Sequence, residues 1–227
     1  VPVSLGQRRL WFVDRLAGGA REYGVVLALR LVGRLDVDRL VGAVEGVVAR
    51  QEALRCRFMA VDGEPVMVVD PPGPVVVERV GVSGAGSVAA SVTGSGSGSV
   101  SGSVSGSVSG RVVVDRVVAE AAGGVDLAVG PVARFWLVEV GAREHVLVVG
   151  VHHIVFDGWS GAVLVRDVGA LYRGEELPPL VAGFADFAVW EREAGVSVEG
   201  LAFWREVLRG APAVLELPLD RPRPARR

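Results

Sequence analysis

Two adjacent histidines, His152 and His153, close an apolar run and are followed by the pair Asp157-Gly158. Imidazole titrates near neutral pH, so a histidine that faces a cleft can take the proton released by an attacking nucleophile. Successive side chains on a strand point to opposite faces, so the two rings do not share one task. One is expected in the interior, fixed there, and the other, His153, toward a cleft or channel. That divergence also makes the pair a poor metal site, and no third ligand stands at a recognisable spacing. Asp157-Gly158 reads as a turn pair before a helix. Asp157 is placed either to cap that helix or to hold a neighbouring cation, and in both cases it orients the loop carrying His153. Two histidines before such a turn are, by themselves, more often structural than catalytic. Cys56 is the single cysteine, and nothing near it in sequence would lower its pKa, so it reads as a small buried hydrophobe rather than a nucleophile.

The elements that must position these residues follow from pattern. Ser4 caps a predicted helix through Leu5, Arg9, Phe12, Val13 and Leu16, stopped by Gly18-Gly19. A strand is predicted at Val25 to Val32. Asp36 then caps a second helix whose Leu40, Val44, Val47 and Val48 share one face. Two strands, Leu54 to Ala60 and Glu64 to Val69, flank the Asp62-Gly63 turn, a strong hairpin signal. Another Val-rich strand runs from Val75 to Val80. Apart from Thr93, residues 81–110 are Gly, Ser, Ala and Val, with VSGS repeating around Val100, Val104 and Val108. So little bulky apolar surface does not offset ordering entropy, and the stretch reads as a flexible insertion. Order is expected to resume with a helix, Val112 to Ala122, and two strands, Val132 to Val140 and His145 to Ile154. Helices at Trp159 to Tyr172, Ala185 to Glu193 and Val198 to Leu208 complete the chain, before a Pro-rich tail. Strands and helices alternate without a strict βαβ rhythm or a Gly-rich phosphate loop, which argues for an α+β fold, a two-layer sandwich, over a nucleotide-binding sheet.

Composition narrows the function classes. The chain has 227 residues, half of them hydrophobic and 22% charged, with a formal net charge of -2. That is ample material for a buried core. All 24 basic side chains are Arg and Ile154 is the only isoleucine, a bias that looks like GC-rich coding rather than selection for guanidinium chemistry. The basic residues are scattered, so no electrostatic footprint for nucleic acid or an acidic membrane stands out. The exception, Arg221 to Arg227, is interleaved with prolines and reads as a solvated linker. One cysteine suits a reducing compartment, and no apolar run reaches the roughly 18 residues of a membrane span. The expected location is cytoplasmic.

The run His152-His153-Ile154-Val155-Phe156-Asp157-Gly158 resembles the HHxxxDG signature of nonribosomal peptide synthetase condensation domains, members of the chloramphenicol-acetyltransferase-like superfamily. Ser4 to Phe12, SLGQRRLWF, resembles their opening motif SxxQxRLWF. Arg50 to Phe58, RQEALRCRF, resembles the second motif RHExLRTxF, departing at Gln51, where the pattern has His, and at Cys56, where it has Thr. Gly183 to Trp190, GFADFAVW, resembles the fourth. The motifs fall in the family's order across nearly the whole chain. Read without the family, Trp11, Phe58 and Trp190 are core or lobe-interface residues, while Arg8, Arg55 and Asp186 make polar contacts. Heterocyclisation relatives carry aspartates at the histidine pair, and the run HHIVFDGWS looks closest to the subtype joining an L-configured donor to an L-configured acceptor.

The resemblance implies a chloramphenicol-acetyltransferase-like lobe over residues 1–220, with residues 221–227 leading toward a second lobe that this chain lacks. It implies amide formation between carrier-bound acyl or peptidyl and aminoacyl thioesters. His153 would accept a proton or hydrogen-bond the developing ammonium, and the Gly158 backbone N–H would hold the donor carbonyl, with His152 and Asp157 completing the site. No cofactor is implied to bind directly, because the substrates travel on phosphopantetheine arms. The implied partners are upstream and downstream peptidyl carrier proteins, the missing C-terminal lobe and an adenylation domain of the same assembly line. A single lobe would have little or no activity alone. Two other readings are a non-catalytic docking platform for carrier proteins or tailoring enzymes, and a stand-alone acyltransferase of the same superfamily.

Overall fold

The structure, a computed structural model, describes residues 1–16, 18, 23–81, 108–214, 218 and 220–221. Two compact units divide the chain, Val1–Glu193 and Ala194–Arg227. In the first, helix α1 (Leu5–Leu16) precedes strand β1 (Gly24–Val32), helix α2 (Val37–Arg50), a 3-10 turn (Glu52–Arg55) and the hairpin β2 (Cys56–Val61) and β3 (Glu64–Val69). Strand β4 (Val77–Gly81), helix α3 (Val108–Ala121), strands β5 (Ala133–Gly141) and β6 (Glu144–His152), and helices α4 (Gly158–Tyr172) and α5 (Phe184–Ala194) follow. The second unit contains helix α6 (Val198–Val207), capped by Ser197, whose hydroxyl accepts from Gly200 N–H at 3.0 Å.

A four-stranded sheet in the order β1-β6-β5-β4 carries the site. β6 is central and antiparallel to both neighbours, and β4 joins the far edge parallel to β5. Alternation along β5 and β6 sends Phe135, Leu137, Leu147, Val149 and Val151 to one face, where they pack on Leu40, Val44 and Val47 of α2 and Leu164 and Val168 of α4. The other set, Trp136, Val138, Val146 and Val148, meets Val114, Val117 and Ala121 of α3. β6 is thereby buried on both faces, which is why it reads as an uninterrupted apolar run. Gly150 lies where a Cβ would come within 2.6 Å of the Ala121 carbonyl oxygen, so α3 approaches the sheet through the space a side chain would fill. The α+β class stands, and α3 adds a helix to the sheet's second face.

Most predicted elements are present with boundaries shifted by one or two residues. The hairpin turns on Asp62 (φ 52°) and Gly63 (φ 82°), both left-handed as a two-residue type I′ turn requires. Leu54 and Arg55, expected in a strand, instead close the 3-10 turn, in which Leu54 N–H donates to Gln51 O at 3.0 Å and the Leu54 side chain is buried in the core. The helix expected from Val112 starts at Val108, inside the stretch read as an insertion. Gly and Ser disfavour a helix by about 0.5–1 kcal/mol per residue, and the docking of Val114 and Val117 on the sheet offsets that cost. Residues 82–107, the rest of that insertion, lie outside the described residues.

Candidate active site

The strand expected to run through Ile154 stops at His152, and the chain turns at once. His153 N–H still reaches Tyr23 O at 2.8 Å, while Val155 N–H bonds His152 O at 3.1 Å and closes the turn. The pair separates as expected. His152 is 1% exposed, whereas the next ring, His153, is exposed to solvent. Ile154, 3% exposed, then plunges into a second cluster with Trp11, Phe58, Met67 and Val132. His153 therefore stands on a tight turn whose flanking side chains are both buried.

Ile154 N–H donates to His152 Nδ1 at 3.1 Å, so the proton of the neutral ring sits on Nε2. Nε2 lies 3.8 Å from Asp14 Oδ1, and among the described residues neither atom has a closer hydrogen-bond partner. Burial lowers the His152 pKa below its usual value; the nearby Asp14 carboxylate opposes that shift, and the neighbouring His153 adds to it.

Asp157 resolves the alternatives left by its sequence in favour of a cap. Its Oδ1 accepts from Ser160 N–H at 2.9 Å and from the Ser160 hydroxyl at 2.7 Å, while Asp157 N–H donates to Ser160 Oγ at 3.2 Å. This reciprocal capping box starts α4. The bonds from Ser160 hold the Asp157 carboxyl below the usual carboxylate range. Gly158 opens the helix, its N–H among those with no acceptor inside α4, and the space a Cβ would occupy there is empty. An exposed imidazole thus precedes a capped helix N-terminus by a few residues, an arrangement able to take a proton and to donate to a developing oxyanion.

Trp11 of the first motif and Phe58 of the second pack with Ile154 behind the turn, while Arg8, Arg55 and Asp186 bind elsewhere. Arg8 pairs with Glu64 at 2.8 Å. Arg55 donates to the carbonyls of Asp70 and Ala49, and the Asp186 carboxylate accepts from Gly183 N–H at 2.8 Å. Glu52 of the second motif accepts from Ala185 N–H of the fourth at 2.8 Å, capping α5 across 133 residues of sequence. Gln51, the departure from the motif's histidine, donates to the fully buried Asp167 carboxylate of α4 at 3.4 Å. Trp11 and Phe58 are core residues, and Trp190 is 62% exposed. Cys56 is buried, and burial pushes its thiol up to about 12. Among the described residues no three His, Cys, Asp or Glu side chains converge as a metal site would require, and no helix is long and apolar enough to cross a membrane. Sequence pattern did not single out Asp14 or the inward role of Gln7. Their signal is present all the same: both are polar at helical spacing from Trp11, on the face of α1 that is buried.

The mixed sheet, the split histidine turn and the capped helix define a chloramphenicol-acetyltransferase-like lobe. The family model described as Condensation domain matches residues 1–227, and the chain belongs to that family. A linear gramicidin synthase of Brevibacillus parabrevis is 35% identical over 234 residues, which are 99% of this chain and 3% of that protein. A phosphinothricin tripeptide synthetase of Streptomyces viridochromogenes is 35% identical over 239 residues, 99% of this chain and 20% of that protein. Among solved structures, the X-domain from teicoplanin biosynthesis matches with a TM-score of 0.77 at 29% identity, over 99% of this chain and 46% of that one. The same X-domain in complex with OxyB matches with a TM-score of 0.76 at 30% identity, over 47% of that chain. The first condensation domain of the calcium-dependent antibiotic synthetase, at 23% identity and a TM-score of 0.70, shares the fold. The chain spans less than half of each of these solved chains and a small fraction of the synthetases.

Proposed function

We propose that this chain is one lobe of a two-lobe condensation domain that joins carrier-bound acyl or peptidyl and aminoacyl thioesters in nonribosomal peptide synthesis. The observation that carries the reading is the divergence of the histidine pair, with His153 exposed at the turn and His152 sealed behind it. The acceptor amine attacks the donor thioester carbonyl. Its nitrogen forms the C–N bond and must shed a proton, which the His153 imidazole accepts or stabilises by hydrogen bonding. The carbonyl oxygen gathers negative charge, for which the Gly158 N–H is a donor. Collapse expels the donor carrier's thiolate, which takes up a proton and leaves the amide. Because a thioester is already activated, alignment of two tethered substrates supplies much of the rate.

In this reading residues 1–220 form the lobe and residues 221–227 lead onward to its companion, which closes the channel over His153. The lobe alone is then inactive, and its partners are the two carrier proteins and the adenylation domain of the same assembly line. The test is His153→Ala in a synthetase containing this lobe, supplied with both loaded carriers. Condensation is expected to fall by roughly 100-fold or more, with the fold unchanged; unchanged turnover would remove His153 from the mechanism. A second reading, a docking platform without turnover, is favoured by the 30% identity to an X-domain solved in complex with OxyB. Carrier or tailoring-enzyme binding by the intact protein, with no product from matched substrates, would select it.

A further inference from the structure

One face of the helix that carries the opening motif meets the histidine turn. Ser4, Gln7, Trp11 and Asp14 recur every three or four residues, so they share one face of α1, and that face is buried: Gln7 is 2% exposed and Asp14 6%. Ser4 N–H donates to Gln7 Oε1 at 3.1 Å, and Gln7 N–H donates to Ser4 Oγ at 3.1 Å. This capping box fixes the orientation of the Gln7 amide, because its oxygen is committed to Ser4. The Gln7 Nε2 donor is therefore turned inward, onto the Ile154 carbonyl at 3.3 Å. Two turns further along α1, the Asp14 carboxylate meets Nε2 of His152 at 3.8 Å. The other nitrogen of that ring holds Ile154 N–H.

One helix thus grips the residue before His153 by its ring and the residue after it by its carbonyl. We infer that Gln7 and Asp14 are positioning residues for His153, clamping the His152–Ile154 turn so that the exposed imidazole is presented in one direction. The clamp needs both ends. Gln7 fixes where the turn leaves the sheet, and Asp14 fixes the His152 ring and, through its Nδ1, the Ile154 amide. Trp11 between them seals the hydrophobic cluster behind the turn. The Gln7–Ile154 and Ile154–His152 hydrogen bonds are buried, where losing a partner is costly, and the Asp14 carboxylate adds a 3.8 Å electrostatic contact to the His152 ring, so the turn is restrained from both sides.

The inference rests on His153 as the proton acceptor, and its test separates the two ideas. Imidazole 15N spectra of this chain should show His152 protonated at Nε2, with Nδ1 an acceptor. In Asp14→Asn and in Gln7→Met, which keeps side-chain bulk but has no donor for Ile154 O, amide exchange at His153 and Ile154 should quicken about tenfold or more while the β2–β3 hairpin amides stay as they were. In the synthetase, both variants should lose roughly 10- to 100-fold in kcat with KM for the loaded carriers unchanged, as expected of misplacement rather than lost binding. If Asp14→Asn does not fold, Gln7→Met alone decides. A His152 ring protonated at Nδ1, unchanged exchange, or parental kcat in the folded variants would overturn the clamp. Normal turnover by His153→Ala would instead overturn the catalytic reading, and the spectra would still judge the clamp.

Discussion

Truncating His152 to alanine removes a ring that is 1% exposed and has three consequences in the interior. The emptied volume has no solvent access, and comparable truncations of large buried side chains cost about 2–5 kcal/mol. Ile154 N–H loses its acceptor, and an unpaired buried amide costs about 1–3 kcal/mol. The Asp14 carboxylate loses the imidazole beside it, although removal of an imperfect 3.8 Å contact offsets part of that. A loss of about 3–5 kcal/mol follows, a large share of the roughly 5–15 kcal/mol that holds a domain together. His153→Ala is different, because its fold contact is the main-chain bond to Tyr23 O, which survives the substitution; its cost should stay within about 0.5 kcal/mol. Urea unfolding followed by tryptophan fluorescence reads the contrast. With an m-value of about 2 kcal/mol/M, the midpoint should drop by about 1.5–2.5 M for His152→Ala and barely move for His153→Ala.

The same pair has a pH signature. His152 in the unfolded chain titrates near 6.5, and burial lowers that value in the folded protein. Between the two values the unfolded chain binds more protons, so stability must rise with pH there and be lost as pH falls below about 6.5. That slope should shrink in His152→Ala. Equal destabilisation by the two alanine variants, or a His152→Ala cost under about 1 kcal/mol, would refute the division of labour between the rings.

Asp157→Ala should cost about 1 kcal/mol in thermal or urea unfolding, because it removes the acceptor of the α4 capping box. Since Ser160 holds that carboxyl below its usual 3.8, the cap's contribution is present above that pH and lost as pH falls through the lowered value, which acid titration of parent against variant will show. Gly150→Ala should destabilise by about 1–3 kcal/mol, since its new Cβ would sit 2.6 Å from the Ala121 backbone oxygen, which can yield only by shifting α3; an unchanged melting temperature would contradict the packing described. Cys56 should react with alkylating reagents only at the rate of unfolding, and stability should fall as pH rises above about 9, where the unfolded thiol ionises and the folded one, pushed up to about 12, does not. Rapid native-state labelling would contradict its burial.

Local pattern was enough for much of this protein. The Asp36 cap and the apolar face of α2, the Asp62-Gly63 hairpin, and Asp157 as a possible cap depend on interactions between residues a few positions apart, so the sequence contains both partners of each. The separation of the two histidine rings was legible from strand alternation, but their burial was not, since β6 is buried on both faces through His152 and only the turn after it brings His153 to solvent. What tertiary structure decided is which partners meet across long separations. Glu52 caps α5 from 133 residues away, α3 begins early because a sheet is there to receive it, and Gln7 reaches Ile154 across 147 residues. Gln7 and Asp14 look like ordinary polar positions in a helix until the end of β6 and the turn after it pack against them. Spacing fixes the face of a helix a residue occupies, whereas the fold alone settles what that face meets, because contact energies are gained only after the chain entropy between distant partners has been lost.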